Sequence, residues 1–292
     1  MDQASGLRNI IKANQTRPLA RVITVTSGKG GVGKSNTAIN LAVWFKKMGQ
    51  RVIILDADFG LANIEIMFGA VPKHNLYDLI YKGMSMEEII TWGPSGIGFI
   101  SGGSGIAGMS NLSREYLNYI IQNLAQLDAM ADIVIIDTGA GISDAVLEFL
   151  VASGEILLVT TPEPTSITDS YSLIKALAHH ERFSPDSTQI KVVANRTSSE
   201  EEGKTLFNKL NTVVARYLKI PISYLGAIHQ DDELQKAVMQ QMPVSLQSPK
   251  AKSAHDYECI ANILMNREVL NKTKNRGMAA FFSHIAAGKK SV

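Results

Sequence analysis

The 292-residue sequence contains a single cysteine, Cys259, and almost no excess of charge of either sign. One cysteine cannot form a disulfide within the chain, nor can it build a thiolate cluster. Lys and Arg total 29 against 27 for Asp and Glu, so the net charge of +2 creates no overall field that would attract DNA or lipid. We therefore expect a protein of the reducing cytoplasm with no specific nucleic-acid partner, which binds any other charged partner through a local patch.

Long apolar runs are also absent. No stretch approaches the about 18 consecutive apolar residues of a membrane span, and the first 15 residues lack the apolar core of a secretory signal. A hydrophobic content of 45% at this length is sufficient for a substantial core. The sequence predicts one large domain over residues 21–270, preceded by a terminal segment (1–20) and followed by a linker and a short helix (271–292).

Within the domain, short apolar runs alternate with longer segments of helical periodicity. This alternation predicts βαβ units, and hence an α/β fold with three layers, in which a mostly parallel central sheet is covered by helices on both faces. A further short strand is expected around residues 97–100, between glycine-rich loops. The predicted strands are RVITVTS (21–27), RVIILDAD (51–58), ADIVIIDTG (131–139), EILLVTTP (155–162) and IKVVANR (190–196).

A glycine-rich segment, GKGGVGKS, follows the first predicted strand and precedes a predicted helix. This context is the one that a phosphate-binding P-loop requires, because backbone N–H groups and the helix N-terminus then surround the phosphates. Lys34 is expected to neutralise the β- and γ-phosphates, and the Ser35 hydroxyl to bind Mg²⁺. The predicted nucleotide-binding residues of this segment are Gly28, Lys29, Gly30, Gly31, Val32, Gly33, Lys34, Ser35 and Asn36.

The same glycines also satisfy the dinucleotide fingerprint GxGxxG, with Asp56 as an acid near the end of the second strand. A nicotinamide-dependent oxidoreductase is therefore an alternative. Lys34 and Ser35 favour ATP, since a dinucleotide loop needs neither a cation nor a hydroxyl there, whereas a triphosphate–Mg²⁺ site needs both.

Three aspartates lie at the ends of predicted strands and supply the acids that an Mg²⁺–ATP site needs. Asp137 ends an apolar strand, where phosphate-loop enzymes place an acid that holds Mg²⁺ through water. Asp56 and Asp58 are two residues apart and point the same way on an extended strand end, so that one lies near the metal while Asp58 orients the attacking water. The alternatives are a helix cap at Asp137 and turn chemistry before Gly60.

Lys29 is not required by the general P-loop pattern, and with this lysine GKGGVGKS resembles the deviant Walker A motif of the MinD/ParA family of ATPases. The resemblance extends through LDADFGLAN, IIDTGAGI, TTPEPTSITDS and LGAIHQDDELQKAVMQQMPV and covers roughly residues 20–265. It implies an ATP-bound homodimer in which Lys29 reaches the partner's phosphates. It also implies that Asn195 reads the adenine edge, with Arg196 and Asp231 beside the nucleotide, and hence a preference for ATP over GTP.

Two departures from the family's patterns are visible. The family often has Asp-Ser-Pro-Ala-Gly where this chain has residues 137–141 (DTGAG), and a proline where it has His229. Several branches of the family are disfavoured. The iron–sulfur branches need several cysteines, and the chain has one. The capsular tyrosine kinases have a tyrosine-rich tail, whereas the residues after Leu270 include no tyrosine. DNA-partitioning ATPases need a basic surface, which a net charge of +2 does not support. The membrane-linked positioning ATPases remain.

The last predicted helix carries an apolar stripe formed by Met278, Phe281, Phe282 and Ile285. Basic residues flank it at positions 272, 274, 276, 289 and 290, so the helix is able to lie in an anionic membrane surface. One such helix binds weakly, and dimerisation would strengthen binding by doubling the anchors. The alternatives are that the stripe packs on the protein itself, or that it is docked in the monomer and released in the dimer.

At the other end, residues 2–8 (DQASGLR) match the DQAxxLR motif of the FlhG branch of the family, whose members regulate flagellar number. The match implies that this segment binds the signal-recognition-type GTPase FlhF and stimulates its GTP hydrolysis through Gln3. Without the match, such a polar start would be interpreted as a frayed terminus.

Together these features predict an Mg²⁺-dependent ATPase that switches between monomer and dimer and binds the cytoplasmic membrane peripherally in the ATP state. Flagellar switch (C-ring) proteins are further expected partners. A MinD-type division-site ATPase and a scaffold without turnover are alternatives.

Overall fold

The computed structural model of the protein describes residues 19–58, 63–102, 123–268 and 277–287. Within these ranges the centre of the fold is an eight-stranded sheet of order β3-β4-β2-β5-β1-β6-β7-β8. Neighbouring strands are parallel except β3, which runs antiparallel to β4 at one edge. The strands are β1 (Arg21–Ser27), β2 (Val52–Ala57), β3 (Thr91–Trp92), β4 (Gly98–Ser101), β5 (Ile133–Ala140), β6 (Glu155–Thr160), β7 (Gln189–Thr197) and β8 (Ile222–His229).

Helices cover both faces of this sheet. Those among the described residues are α1 (Lys34–Lys47), α2 (Asn63–Phe68), α3 (Leu76–Lys82), α4 (Met86–Ile89), α5 (Leu127–Met130), α6 (Asp144–Ala152), α7 (Pro164–Ala178), α8 (Glu200–Tyr217), α9 (Asp232–Met239), α10 (Val244–Gln247), α11 (Lys252–Glu268) and α12 (Gly277–Ala287).

Successive side chains of a strand point to opposite faces of the sheet, so the residues of the central strands contribute alternately to a core on each face. In β2, Val52 and Ile54 pack with α1 and α11, whereas Ile53 and Leu55 pack with α3, α4, α6 and α12. A third cluster covers the other half of that second face and joins β6 and β7 to α7 and α8. Strands buried on both sides are almost continuously apolar, which explains why the sequence showed them clearly.

The five apolar runs predicted as strands correspond to β1, β2, β5, β6 and β7, and the short run near residue 100 corresponds to β4. The three-layer α/β prediction is confirmed. Strand β8 (ISYLGAIH) was not predicted, because it lies at an edge, where several of its side chains are only half-buried and polar residues interrupt the apolar pattern. The two-residue strand β3 is too short to produce a pattern.

Candidate functional site

The predicted site residues converge at the carboxyl ends of β1, β2, β5 and β7. Residues 28–33 connect β1 to α1, and the sheet register places Asp56 directly beside Asp137 on neighbouring strands. Asn195 lies near the end of β7. Ligands of open parallel sheets bind in crevices at this edge, because the loops that follow the strands meet there.

The connecting loop turns sharply into α1 at Gly33, whose φ of 100° strongly favours glycine. A Cβ at this position would also lie 2.3 Å from Asn195 Nδ2. No side chain among the described residues caps the N-terminus of α1. Its free N–H groups and the positive end of its dipole therefore face the loop, as a phosphate site requires.

Asp137 is the most deeply buried acid of the site, with no exposed surface. Within the described residues neither of its oxygens receives a hydrogen bond of ordinary geometry. Burial raises the pKa of Asp137 to about 6, an effect that the nearby Ser35 hydroxyl and Lys34 ammonium partly offset. Burying a carboxylate whose oxygens lack well-formed hydrogen bonds is costly unless a cation completes the site, so Asp137, with Ser35 and Lys34 nearby, is suited to an Mg²⁺ site.

Asp56 lies beside it and is also buried. Its carboxylate accepts the backbone N–H groups of Asp58, at 3.0 Å, and Ile64, at 3.4 Å. Burial, with a smaller contribution from the Asp137 charge, raises the pKa of Asp56 to about 7. Two neighbouring acids with raised pKa values are a common feature of functional sites, and a divalent cation would relieve their repulsion.

Asp58 extends from the end of β2 toward the segment that follows Asp137. One of its oxygens lies 3.5 Å from Asn63 Nδ2, at the start of α2. The other oxygen is near Gly139. Residues 59–62 of this loop, including Gly60, lie outside the described residues. The acid predicted to orient water thus lies at the same edge as the two acids predicted to hold the metal.

The two lysines of the loop have different surroundings. Lys34 is buried beside Asp137, whereas more than a third of the Lys29 side chain is exposed. Lys29 Nζ lies 2.6 Å from Glu163 Oε2 and 2.9 Å from Thr165 Oγ1, at the start of α7. Both partners belong to the TTPEPTSITDS segment of the family resemblance, but no sequence pattern indicated their contact with Lys29, because Glu163 is 134 positions away.

Asn195 and Arg196 both contact the loop. Asn195 is buried and donates from Nδ2 to Val32 O at 2.7 Å, while its Oδ1 has no hydrogen-bond partner within the described residues. Arg196, in a left-handed conformation with φ of 57°, donates to Gly31 O at 2.8 Å. An unpartnered buried amide oxygen is an acceptor suited to the exocyclic amine of adenine, which guanine does not offer in that position.

The segment after β8 is fixed by α11. Asp256 Oδ2 accepts from the backbone N–H of His229, at 2.9 Å, and lies 2.8 Å from its ring Nδ1. The Asp231 carboxylate accepts from the backbone and hydroxyl of Ser253 and caps α9. Sequence reasoning missed Asp256 and Ser253. The side chain of Asp231 is thus occupied by these bonds, so its proposed nucleotide contact is restricted to the backbone.

The described residues fit an Mg²⁺–ATP ligand. Ser35, Asp56 and Asp137 would hold the metal, and the unpartnered Asp137 oxygens are the observation that supports this assignment. The loop, Lys34 and the N-terminus of α1 would surround the phosphates. Apart from the adjoining residues of the loop, no described atom lies within 4 Å of a Cβ built on Gly30 or Gly31, so within the described residues there is open space beside the loop.

The four residues of the predicted membrane stripe lie away from this site, in the core. Met278, Phe281, Phe282 and Ile285 are each at most 8% exposed. Phe281 packs against Phe149 of α6 with ring centroids 6.0 Å apart. The stripe is therefore docked on the protein, one of the alternatives that the sequence left open. Gln3 and the flanking basic residues lie outside the described residues.

Residues 23–244 match the family model of the CobQ/CobB/MinD/ParA nucleotide-binding domain. The chain belongs to this family. It is 39% identical to the antiactivator FleN of Pseudomonas aeruginosa over 82% of this chain and 85% of that protein. It is 30% identical to the flagellum site-determining protein YlxH of Helicobacter pylori over 97% of this chain and 98% of that protein. These relatives confirm the predicted MinD/ParA resemblance and its flagellar branch.

A solved structure supports the fold independently. The septum site-determining protein MinD of Pyrococcus horikoshii, complexed with Mg-ADP, has a TM-score of 0.65 and 21% identity, covering 88% of this chain and all of that chain. The family match favours nucleotide hydrolysis over the dinucleotide interpretation of the glycines. Within the part of the chain that the structure describes, every helix is too short or too polar to cross a membrane.

Proposed function

We propose that this protein is an Mg²⁺-dependent ATPase that dimerises on binding ATP and regulates the number or placement of flagella. The observation that carries the proposal is the arrangement of the two loop lysines. Lys34 is buried beside Asp137, in a position to neutralise the phosphates of its own loop, whereas Lys29 is at the surface and paired only with exposed groups. A cation at the rim of the loop is available to a second nucleotide site that faces it.

The residues divide the work of phosphoryl transfer between binding and positioning. Lys34 and the loop N–H groups bind the phosphates, and bound Mg²⁺ would neutralise developing charge. Asp58 orients the attacking water. Lys29 of the partner supplies positive charge in trans, as an arginine finger does in related reactions. Asn195 selects adenine through its unpartnered Oδ1.

Membrane binding follows from release of α12. In the docked state the apolar stripe is buried and not available to lipid. Releasing the helix would expose Met278, Phe281, Phe282 and Ile285 together, next to the basic residues at both of its ends. A dimer presents two such helices, so weak single anchors combine into firm binding at the inner face of the cytoplasmic membrane.

The names of the two relatives support a flagellar role, since one is an antiactivator and the other is a flagellum site-determining protein. The N-terminal match supports FlhF as a partner, with Gln3 as the group that stimulates its GTP hydrolysis. C-ring proteins are proposed as further partners.

The proposal is tested by measuring ATP hydrolysis and sedimentation of the purified protein with and without anionic liposomes. We expect hydrolysis that requires Mg²⁺, a dimer only with ATP, and co-sedimentation with liposomes only when ATP is present. A protein that stays monomeric with ATP would contradict the switch. A division-site role shares this chemistry, and is distinguished by whether loss of the gene changes flagella or cell division.

A further inference from the structure

Three separate segments of the chain meet at one carboxylate, that of Asp128 in the short helix α5. Asp128 Oδ1 accepts the backbone N–H of Met278, at 2.9 Å, and the backbone N–H of Ala20, at 3.2 Å. Met278 belongs to the first turn of α12, and Ala20 directly precedes β1. The base of the N-terminal segment and the beginning of the C-terminal helix are therefore held by the same oxygen atom.

The packing around this carboxylate is close. Gly277 has φ of 66°, and a Cβ built there would lie 2.7 Å from Asp128 Oδ2, so a side chain does not fit while α12 is docked. Ala20 is fully buried, in the same hydrophobic cluster as Met278 and Phe281. Docked α12 thus shields Ala20 from water and covers part of Asp128, whose carboxylate is half-buried.

The C-terminal half of α12 is held by a second contact, with Arg182. The guanidinium of Arg182 donates to the carbonyl of His284 in α12 and also to the carboxylate of Glu148 in α6. Helix α6 begins at Asp144, a few residues after Asp137. Helix α6 thus connects the segment that follows Asp137 to the contacts that hold α12.

We infer that α12 is an autoinhibitory cover for the base of the N-terminal segment, and that Asp128 couples the two ends of the chain. While α12 is docked, Leu19 and Ala20 leave the body in a fixed direction. When α12 leaves, Asp128 loses its remaining cover and the Ala20 N–H becomes accessible to water. Water then competes for the hydrogen bond between them, and this bond loses most of its stabilising effect. Arg21 stays in place, because its side chain binds the Glu155 carboxylate, so the loosening stops at Ala20.

This inference rests on the proposed function in one respect. If that function is right, α12 leaves the protein to bind the membrane at the same time as the N-terminal segment becomes available to activate its partner. The contact itself is independent of lipid, ATP and GTPase. An experiment without any of these therefore separates failure of the coupling from failure of the proposed function.

The test uses spin labels in the full-length protein after Cys259→Ser removes the native thiol. One protein is labelled through Leu19→Cys and another through Ser283→Cys, both at exposed positions. Helix α12 is released in two ways, by Gly277→Val, which collides with Asp128, and by Phe281→Ser, which weakens the packing on Phe149. Ser283→Ala, at an exposed α12 position, is the control in the Leu19→Cys protein.

We expect each release variant to increase the mobile fraction of both labels, with the mobile-to-immobile ratio at position 19 rising about two- to tenfold, as loss of one hydrogen bond predicts. The control leaves position 19 unchanged. A label at position 283 that becomes mobile while position 19 stays fixed would overturn the coupling. Labels that stay immobile in both variants would overturn the role of these contacts in docking. Circular dichroism confirms that each variant is folded.

Discussion

Lys29 Nζ forms an ion pair with Glu163 Oε2 of the same chain, at 2.6 Å. This lysine is the one for which the family resemblance implies a contact with the partner's phosphates. In the structure it is paired instead within its own chain, at an exposed site. Dimerisation through Lys29 must therefore break this pair, and the strength of the pair sets a small barrier to dimerisation.

Glu163→Gln is expected to favour the ATP-bound dimer, because it removes the charge that competes for Lys29. An exposed ion pair is weak, but a symmetric dimer breaks two of them, one per protomer, so the dissociation constant of the dimer should fall severalfold. Lys29→Ala should prevent dimerisation, and analytical ultracentrifugation with a non-hydrolysable ATP analogue measures both effects. If Lys29→Ala dimerises like the unmodified protein, the trans role of this lysine is wrong.

Asp58→Ala should abolish hydrolysis while leaving ATP binding intact, since Asp58 is proposed to orient the attacking water and not to hold the phosphates. We expect turnover to fall about 100-fold or more, with the ATP-bound dimer accumulating. Asp144→Ala, which removes an exposed carboxylate at the start of α6, serves as the matched control and should keep its activity. A dimer that does not form in Asp58→Ala would contradict this division of roles.

The stability of the nucleotide-free protein should depend on pH because of two buried acids, Asp56 and Asp137. Burial raises the pKa values of Asp56 and Asp137 from 3.8 to about 7 and about 6. The folded state binds these protons more tightly than the unfolded state. The contribution of the two acids to stability is therefore fully present below about pH 4 and is lost as pH rises toward 7.

Asp137→Asn should accordingly raise the stability of the nucleotide-free protein at pH 8, on the order of 3 kcal/mol, and change it little at pH 4. Differential scanning fluorimetry across this range measures the effect. With Mg²⁺ and ATP present the sign should reverse, because the variant loses a metal ligand. Equal stabilisation at both pH values would show that the Asp137 charge is not the cause.

Phe281→Glu should eliminate liposome binding and also destabilise the docked state. Phe281 is 2% exposed, and burying a carboxylate there costs more than the packing that it replaces. Sedimentation with liposomes and thermal unfolding measure the two effects separately. Ser283→Glu places the same charge on the exposed side of α12 and should retain both properties. Lipid binding by Phe281→Glu would exclude this stripe as the anchor.

A peptide of residues 1–20 should accelerate GTP hydrolysis by the FlhF-type partner, and Gln3→Ala should remove the effect. A glutamine amide is able to orient an attacking water in a neighbouring GTP site. The measurement is the GTPase rate at increasing peptide concentration, with Ser5→Ala as the control. Equal stimulation by the Gln3→Ala peptide would assign the activity to another residue.

The local sequence by itself determined the parallel sheet and the phosphate loop. Strands buried on both faces require continuous apolar runs, and a loop that surrounds phosphates requires glycines followed by Lys34 and Ser35, so both leave a pattern within about ten residues. The edge strand β8 left no such pattern, because half-buried side chains need not be apolar.

Only the tertiary structure decided which distant groups meet. The partners of Lys29 and Asp128 are more than 100 positions away in the chain, and nothing near them in sequence marks the contact. The same applies to α12, whose amphipathic pattern fits either lipid or protein, because both offer an apolar surface to one face of a helix. The structure packs that face on Phe149 and brings the backbone N–H groups of Ala20 and Met278 to the same oxygen of Asp128.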